Sequence, residues 1–551
     1  MRLPEGKMIA KKIQEELLRH LPEDLPFKVE PPREEAFGDY ATNAALVLAG
    51  RLKRPPRELA EELAQKLSSR RDLFSKVEVA GPGFINFFVA PEYWQSVVKA
   101  VVSRGEAYGR SDLGRGLKVQ VEFVSANPTG PLHIGHGRGA AVGDTLARIL
   151  AFAGYEVVRE YYINDRGRQI EILGRSVWLR ARELSGEKID FPEDHYRGDY
   201  IRDLARKLLV LEPNLLALPE EKAVAIARDF ALREILADIK QDLHEFGVSY
   251  EVWYSERGLY EKGEVEEALR ALSEAGHLYE KDGALWFRAS AFGDEKDRVV
   301  RRSNGETTYF ASDIAYHREK FLKRGFDLVV DVWGADHHGY IPRLKAVLSA
   351  LKIDPERLRV LLIQMVNLIE GGRVKSMSTR AGEFVTLREL VEEVGRDAVR
   401  FTFLTRKCDA PLEFDVELAK RRSQENPVFY VQYAHARLCS VFRKAEEAGL
   451  KLGSPEEVNC ARLDTPEDFK LLKLLDAFPL VVEEAAKNLE PHRLTYFLLD
   501  LATAFHDYYT KHRFLSEDEE LSRARLALAW ALRQVFKTGL NLLGVSAPER
   551  M

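Results

Sequence analysis

A short segment rich in glycine, proline and histidine, residues 126–136 (A-N-P-T-G-P-L-H-I-G-H), joins two patterns of different period. Before it, Val119, Val121 and Phe123 alternate with polar residues, which predicts a strand. After it, apolar residues recur at helical spacing up to a glycine, and residues 155–163 predict a second strand. Strand, turn, helix and strand form a βαβ unit, so we expect a parallel, doubly wound sheet here.

The rest of the chain divides into regions of different character, since 551 residues are too many for one core. Residues 1–112 combine helical patterns with a predicted hairpin and are expected to form an α+β domain. We expect residues 113–415 to form a Rossmann-type α/β domain, interrupted at about 166–290 by a mostly helical insertion. Residues 416–551 show only helical periodicity, which predicts an all-α bundle.

Local signals refine this division. A helical pattern that starts at Ile9 stops at Pro22, and after a segment rich in breakers one long helical pattern runs up to Leu67. The predicted hairpin turns at Gly-Pro-Gly, at residues 81–83. Strand patterns return at residues 327–333 and 359–368, so the insertion is expected to split the sheet into two blocks.

Composition excludes several classes of protein. Cys408, Cys439 and Cys460 are far apart and form no C-x-x-C pair, which argues against a zinc site or a disulfide framework and fits a reducing cytoplasm. No apolar run is long enough to span a membrane, and no signal-peptide pattern opens the sequence. The net charge is −5, so a nucleic-acid surface would have to be local, although any single basic cluster is also compatible with a solvated face.

The turn at residues 126–136 has a chemistry of its own. A helix N-terminus presents unpaired N–H groups and a positive dipole end, and both attract phosphate. His133 and His136 are three residues apart, so both imidazoles can face one ligand and donate to phosphate oxygens where charge builds up in a transition state. The alternative is that the two histidines only cap the turn.

The longer stretch at residues 122–139 (E-F-V-S-A-N-P-T-G-P-L-H-I-G-H-G-R-G) resembles the HIGH signature of class I aminoacyl-tRNA synthetases, in the form found in the arginyl-tRNA synthetase family. Further stretches resemble that family in the expected order along the chain: F-G-D-Y-A-T-N (37–43), N-D-R-G-R-Q (164–169), Y-R-G-D-Y-I (196–201), Y-F-A-S-D-I-A-Y (309–316), W-G-A-D-H-H-G-Y (333–340) and Y-V-Q-Y-A-H-A-R (430–437).

This resemblance implies that the chain activates L-arginine with ATP and Mg²⁺, releases pyrophosphate, and transfers arginine to the terminal adenosine of its tRNA. His133 and His136 would act on the phosphates. The implied ATP-binding residues come from the HIGH region and from the second half of the sheet: Ala126, Pro128, Thr129, Gly130, Pro131, Leu132, Ile134, Gly135, Gly334, Asp336, His337, His338, Met377 and Ser378.

The family's second catalytic element is a mobile KMSK loop, and the matching stretch here departs from it. Residues 371–382 read G-G-R-V-K-S-M-S-T-R-A-G, so Ser376 separates Lys375 from the methionine, and Thr379 replaces the second lysine. Some relatives that lack this lysine carry one just before HIGH, but that position is Gly130 here. We therefore expect Lys375, helped by Arg380, to supply the cation. The alternative is that this stretch is a surface loop with no role in catalysis.

Arginine as a substrate requires carboxylates in fixed orientation, because its planar guanidinium is always charged. By resemblance, Asp313 would bind the guanidinium with Tyr309 beside it. Glu122 and Asn127 would hold the α-amino and carboxylate ends, and His133 would lie near the carboxylate. The alternative for Asp313 is a helix N-cap, because Ser-Asp precedes an apolar run.

The W-G-A-D-H-H-G-Y stretch follows a strand pattern, where doubly wound folds bind ligands, and its Asp336, His337 and His338 are expected at the adenosine. They also suggest a metal site, but no further ligand motif accompanies them, so no protein-bound metal is expected.

In similar enzymes the N-terminal domain contacts the tRNA elbow, the helical bundle binds the anticodon, and the enzyme is usually a monomer. The implied RNA-contacting residues of the bundle are Tyr430, Tyr433, His435 and Arg437, with core packing as the alternative for the tyrosines. Other interpretations are a synthetase of different specificity, a non-catalytic tRNA-binding relative, or a small-molecule nucleotidylyltransferase. The absence of zinc-ligand cysteines, the intact HIGH histidines and the length of the chain argue against them in turn.

Overall fold

The computed structural model describes residues 9–374, 385–450 and 458–551. The N-terminal region forms a four-stranded sheet in the order β1-β2-β4-β3, covered by helices. Its elements are α1 (Ile9–Leu18), β1 (Val29–Glu30), β2 (Tyr40–Thr42), α2 (Ala44–Leu52), α3 (Pro56–Leu67), β3 (Phe74–Ala80), β4 (Phe84–Val89) and α4 (Pro91–Arg104).

The predicted hairpin is confirmed, since β3 and β4 pair antiparallel across the Gly-Pro-Gly turn. The prediction of one long helix up to Leu67 is wrong. Lys53 adopts the left-handed conformation at the end of α2, and Pro55 and Pro56 follow. A proline lacks the N–H that a helix interior needs but suits a helix start, so the chain breaks and begins α3.

The central sheet contains five parallel strands in the order β12-β11-β5-β6-β7. Its first elements are β5 (Lys118–Phe123), α5 (Ile134–Phe152) and β6 (Glu156–Ile163), which confirms the predicted βαβ unit and the doubly wound fold. The second block contributes β11 (Leu328–Gly334) and β12 (Leu358–Ile363).

The insertion between these blocks is mostly helical, as predicted, but it also contains short strands that the sequence did not indicate. It contains α6 (Arg168–Leu184), α7 (Asp199–Leu211), α8 (Glu220–Glu245), α9 (Glu256–Glu261), α10 (Glu264–Glu274), β7 (Val252–Ser255), β8 (Leu278–Lys281) and β9 (Ala284–Phe287). Strand β7 belongs to the central sheet, next to β6, and β9 pairs with both β8 and β10 (Arg298–Arg301). Because β7 has only four residues, it gave no periodic signal.

Helix α11 (Tyr309–Arg318) continues into a π-helical turn, Glu319–Lys323, before β11. The chain then forms α12 (Ile341–Ala350), β13 (Val366–Glu370), β14 (Arg373–Val374), α13 (Leu387–Val394), α14 (Arg396–Phe403), β15 (Leu412–Asp415) and α15 (Val416–Lys420). Strand β13 pairs parallel with β15 and antiparallel with β14.

The C-terminal region is a helical bundle of α16 (Pro427–Glu447), α17 (Pro466–Asn488), α18 (His492–Lys511) and α19 (Glu519–Leu542). Helix α4 of the N-terminal region packs against α17 and α19, so the first and last regions of the chain are in contact. Among the described helices, none has the length and apolar character needed to cross a bilayer.

Candidate active site

The turn after β5 starts with an unusual backbone. Val124 and Ser125 both have positive φ, 68° and 37°, which is rare for residues that carry a side chain, above all for a β-branched one. This bend lets Ser125 Oγ donate to Glu122 Oε1 at 3.0 Å and accept from the backbone N–H of Tyr162 at 3.1 Å. The strained turn therefore fixes the Glu122 carboxylate at the end of β5.

The two histidines of the turn cap helix α5 reciprocally. His133 Nδ1 accepts from the N–H groups of Gly135 and His136, and His136 Nδ1 accepts from His133 N–H at 3.3 Å. The rings stack with centroids 3.6 Å apart. Burial lowers the pKa of His133, and it lowers that of His136 to about 3. Both rings are therefore neutral at physiological pH, and each carries its proton on Nε2, because its Nδ1 accepts.

Other residues of the turn are packed into the core or held by the insertion. Leu132 and Ile134 are buried in the core. The Tyr200 hydroxyl donates to Thr129 O at 2.8 Å, and a side chain at Gly130 would meet that hydroxyl at 3.1 Å. The turn is thus held from outside by a residue of the insertion.

A cavity of about 420 Å³ opens beside this turn, at the carboxyl ends of β5, β6, β7 and β11. Several predicted residues line it together: Glu122, Asn127, Tyr309, Asp313, Gly334 and His337. Four carboxylate side chains, those of Glu122, Glu256, Asp313 and Asp331, give it an acidic lining. His133, His136, Asp336 and His338 are not part of that lining.

Asp313 lies inside α11, and the residue at the N-cap of that helix is Thr308, so the N-cap interpretation of Asp313 is wrong. The Tyr340 hydroxyl donates to Asp313 Oδ2. Burial raises the pKa of Asp313, and this hydrogen bond opposes the rise. Tyr309 stands at the rim with 57% of its surface exposed. The pocket thus has a fixed acid inside and an aromatic ring at its mouth.

Asn127 is held by two residues of the N-D-R-G-R-Q stretch. Its Oδ1 accepts from Asn164 Nδ2 at 2.6 Å, and its Nδ2 donates to Gln169 Oε1 at 2.8 Å. Both partners also line the cavity. The sequence motif pointed to this stretch but gave no role for either side chain.

Glu256 is a cavity carboxylate that the sequence reasoning missed. It is 3% exposed, and Ser312 Oγ donates to its Oε1 at 2.9 Å. Within the described part of the chain no hydrogen-bond partner reaches its Oε2. Burial raises its pKa to about 7. A buried carboxylate oxygen without a partner is costly, so this atom is suited to a cationic ligand. Its sequence context, at the start of α9, gave no signal.

Asp336, His337 and His338 are exposed after β11, and His337 Nδ1 lies 3.1 Å from Asp336 Oδ1. Within residues 9–374, 385–450 and 458–551, no group of histidine, cysteine and acidic side chains is arranged to hold a metal ion.

The predicted loop residues Lys375, Met377, Ser378 and Arg380 lie outside the described residues. The chain that follows them is anchored at the HIGH turn. Thr386 forms an antiparallel bridge with His133, and Leu387 N donates to Leu132 O at 2.8 Å.

The four predicted RNA-contacting residues of α16 fall into two groups. His435 is buried and its Nδ1 contacts Pro548 O at 2.9 Å, and Tyr430 packs against His506. Arg437 lies over the rings of Tyr433 and Tyr509, at 4.5 and 4.7 Å from their centroids. A surface pocket of about 520 Å³ is lined by Tyr433, Arg437, Arg443, Tyr509 and Arg550, among others.

Three family models match the chain in sequence order. They describe the N-terminal domain of arginyl-tRNA synthetase (residues 7–89), the catalytic domain of class I (R) tRNA synthetases (97–406) and the DALR anticodon-binding domain (431–551). The arginine–tRNA ligase of Syntrophotalea carbinolica is 55% identical over 95% of this chain and 94% of that protein. The one from Desulfosudis oleivorans is 55% identical over 95% of both.

The solved arginyl-tRNA synthetase of Thermus thermophilus superposes with a TM-score of 0.79 at 27% identity, covering 99% of this chain and 100% of that one. The parallel sheet, the capped HIGH turn and the catalytic-domain match define a class I aminoacyl-tRNA synthetase. Within that class, the chain belongs to the arginyl-tRNA synthetase family.

Proposed function

We propose that this chain ligates arginine to tRNA and that the acidic cavity is its arginine site. The carboxylates of Asp313 and Glu256 would bind the guanidinium, with Tyr309 covering it at the rim. Glu122 would receive the α-ammonium, and Asn127 and His133 would lie near the α-carboxylate. The observation that carries this proposal is the concentration of buried carboxylates beside the HIGH turn, because a guanidinium binds carboxylates through fixed, charge-assisted hydrogen bonds.

ATP would lie along the turn, with its phosphates at the N-terminus of α5. The neutral rings of His133 and His136 would donate their Nε2–H groups to phosphate oxygens, and Mg²⁺ would bind to the phosphates rather than to a protein cage. The backbone from Ala126 to Gly135 would follow the nucleotide. Gly334, Asp336, His337 and His338 would contact its adenosine from the other side.

In the first step an arginine carboxylate oxygen would bond to the α-phosphorus as the bond to pyrophosphate breaks. Positioning and charge stabilisation dominate such a reaction. Lys375, helped by Arg380, would stabilise the leaving pyrophosphate, with Met377 and Ser378 against the nucleotide. The anchoring of Thr386 at His133 supports this, because Thr386 follows the segment closely in sequence and lies at the turn.

In the second step a ribose hydroxyl of the 3′-terminal adenosine of tRNA(Arg) would bond to the arginyl carbonyl carbon, and the bond to the phosphate would break to release AMP. We propose that the N-terminal domain, 1–112, contacts the tRNA elbow, that domain 113–415 performs the chemistry, and that domain 416–551 binds the anticodon. Tyr433 and Arg437 at the surface pocket are suited to stack an unpaired base. Tyr430 and His435, which pack inward, would support that surface. The enzyme would act as a cytoplasmic monomer.

Exchange of labelled pyrophosphate into ATP tests the proposal. With each standard amino acid in turn, and with or without bulk tRNA, we expect exchange only with arginine and more of it with tRNA.

Asp313→Asn should raise the KM for arginine by roughly 100-fold, because it removes a charge-assisted contact in a buried site. Asp282→Asn, at an exposed turn, is the matched control. Exchange with another amino acid, or none with arginine plus tRNA, would sink the proposal.

A further inference from the structure

A lysine without solvent exposure stands behind the arginine cavity. Lys320, in the π-helical turn after α11, has no exposed surface. Its Nζ lies 2.7 Å from Glu122 Oε2 and 3.0 Å from Asp331 Oδ1. A buried ammonium is strongly disfavoured unless it is paired, and a π-helical turn is rare and concentrates at functional sites. The side chain is therefore a candidate for a role in the site.

The contacts of Lys320 extend to both ends of the cavity. Glu122 Oε1, the oxygen not bound by the lysine, accepts from Ser125 Oγ at 3.0 Å. The other oxygen of Asp331 lies 3.1 Å from His317 Nε2, and His317 Nδ1 contacts the backbone carbonyl of Asp313 at 2.9 Å. The lysine thus joins the strand that carries Glu122 to the helix that carries Asp313.

Building on the proposed arginine site, we propose that Lys320 is a positioning residue that keeps Glu122 ionised and oriented to receive the α-ammonium of arginine. The lysine does not line the cavity, so it acts through Glu122 and does not touch the substrate. Each carboxylate oxygen of Glu122 then holds one protein donor and keeps a second lone pair for the ligand.

The charges around Glu122 show why it needs this cation. Burial raises the pKa of Glu122, Lys320 lowers it, and Asp331 and Glu160 raise it again. The same carboxylates raise the pKa of Lys320 against the effect of burial. Without the lysine, Glu122 would lose the cation that lowers its pKa, while burial, Asp331 and Glu160 would still raise it, so the carboxylate would take up a proton more readily. The titratable and charged groups packed around the pair are Asp331, Glu160, Asp313, His317, Tyr316, Tyr162, Tyr250 and Arg324.

A purely structural ion pair and a positioning pair predict different kinetics, so a double-mutant cycle separates them. The four proteins are the natural chain, Lys320→Met, Glu122→Gln and the double variant, each assayed by arginine-dependent pyrophosphate exchange with tRNA. We expect each single change to raise the KM for arginine about 10- to 100-fold with a much smaller change in kcat. The KM of the double variant should be no higher than that of either single variant, because Glu122 has already lost its negative charge by protonation when Lys320 is absent. Additive effects on KM would overturn the proposal.

The pH dependence gives a second readout. In Lys320→Met, kcat/KM for arginine should keep rising with pH after the natural chain has levelled off, since Glu122 regains its charge only at higher pH. A parallel profile in both proteins would contradict the positioning role. Lys323→Met is the matched control. That lysine belongs to the same π-helical turn but is exposed and bonds Glu264 and Glu267 at 2.7 and 2.8 Å, so its removal should leave KM unchanged.

Loss of the lysine alone leaves Asp331 without its ammonium, so thermal unfolding of each variant is measured first. If Lys320→Met does not fold, Lys320→Met/Asp331→Asn takes its place in the cycle, because it removes both the lysine and the charge of Asp331. Adding Glu122→Gln to this variant should again cause no further rise in the KM for arginine. Failure of the natural chain to exchange with arginine would refute the proposed function. If the natural chain exchanges with arginine but the effects of the two substitutions on KM are additive, only the role of Lys320 is refuted.

Discussion

At the scale of single residues, the cavity carboxylates differ in how their charge is compensated. Asp331 is paired with Lys320, and Asp313 accepts from Tyr340. Among the described residues, Ser312 Oγ is the one hydrogen-bond donor to Glu256, and it contacts a single carboxylate oxygen. Burial, as the largest cause, raises its pKa to about 7, and Asp313 adds to the rise. Glu256 is therefore the cavity acid whose charge is most open to neutralisation by a guanidinium.

This difference predicts the behaviour of Glu256→Gln. The glutamine keeps an acceptor for Ser312 but removes the charge, so kcat/KM for arginine should fall by about 10- to 100-fold. In the natural chain kcat/KM should rise with pH through about 7 as Glu256 ionises, and in Glu256→Gln this rise should be absent. Exchange kinetics across pH measure both. An unchanged KM in the variant would exclude Glu256 from the arginine site.

The sequence predicted part of this site and could not predict the rest. Glu122, Asn127, Tyr309 and Asp313 were reached through motifs, and the structure brings them to one cavity. The roles of those residues stay predictions. Glu256 carries no motif, because its place depends on β7 lying next to β6, a long-range pairing without local signal. Lys320 also could not be predicted from the sequence, since a lysine that follows a helix is ordinarily exposed to solvent.

At the scale of elements, the position of α5 on β5 sets the distance between the capped histidines and the end of the sheet. Close contact depends on Gly143. A side chain there would come within 2.2 Å of Phe123 Cγ, and Phe123 is buried on β5. Gly139 in the same helix faces no such neighbour within 4 Å. One glycine is therefore required by packing and the other is not.

Gly143→Ala should consequently destabilise the enzyme by about 1 to 3 kcal/mol, because the added methyl group overpacks the helix–sheet interface. It should also lower kcat of exchange, since α5 carries His133 and His136. Gly139→Ala is the matched control and should be neutral or stabilising by up to about 1 kcal/mol, because alanine favours a helix interior. Thermal unfolding and exchange assays measure the pair. Equal stability of the two variants would show that Gly143 does not set this contact.

Element prediction succeeded where both periodicity and turn chemistry were clear, and it failed at a short strand and at a break inside a long helical pattern. The βαβ unit and the hairpin at Gly-Pro-Gly had clear periodicity and turn chemistry, and both are confirmed. The missed β7 has four residues, and the break between α2 and α3 depends on two prolines that the apolar pattern runs across. Periodicity averages over several residues and therefore overlooks such features.

At the scale of the whole molecule, the first and last regions of the chain meet at a buried acid. Asp476 of α17 accepts from Ile9 N–H and from the Tyr93 hydroxyl, each at 3.1 Å. Nearby, Tyr108 donates to Leu475 O at 2.8 Å. Burial raises the pKa of Asp476 to about 6. Both predicted tRNA-contacting regions are thus joined through an acid whose charged form is disfavoured by burial.

This acid predicts a pH dependence of stability whose sign is fixed. The pKa of Asp476 is about 6 in the folded chain and about 3.9 when unfolded. Its contribution to stability is therefore complete below the unfolded value and is lost as the pH rises through about 6. Relative to Asp476→Asn, the natural chain should lose up to about 3 kcal/mol between about pH 4 and about pH 7. Thermal unfolding of both proteins across this range measures the difference. Asp464 is exposed and lies twelve residues before Asp476 in the sequence, so Asp464→Asn should leave the dependence of stability on pH unaltered. The bonds from Ile9 and Tyr93 to Asp476 connect the first and last regions of the chain. If stability depends on pH in Asp476→Asn as it does in the natural chain, the pH-sensitive contact lies elsewhere.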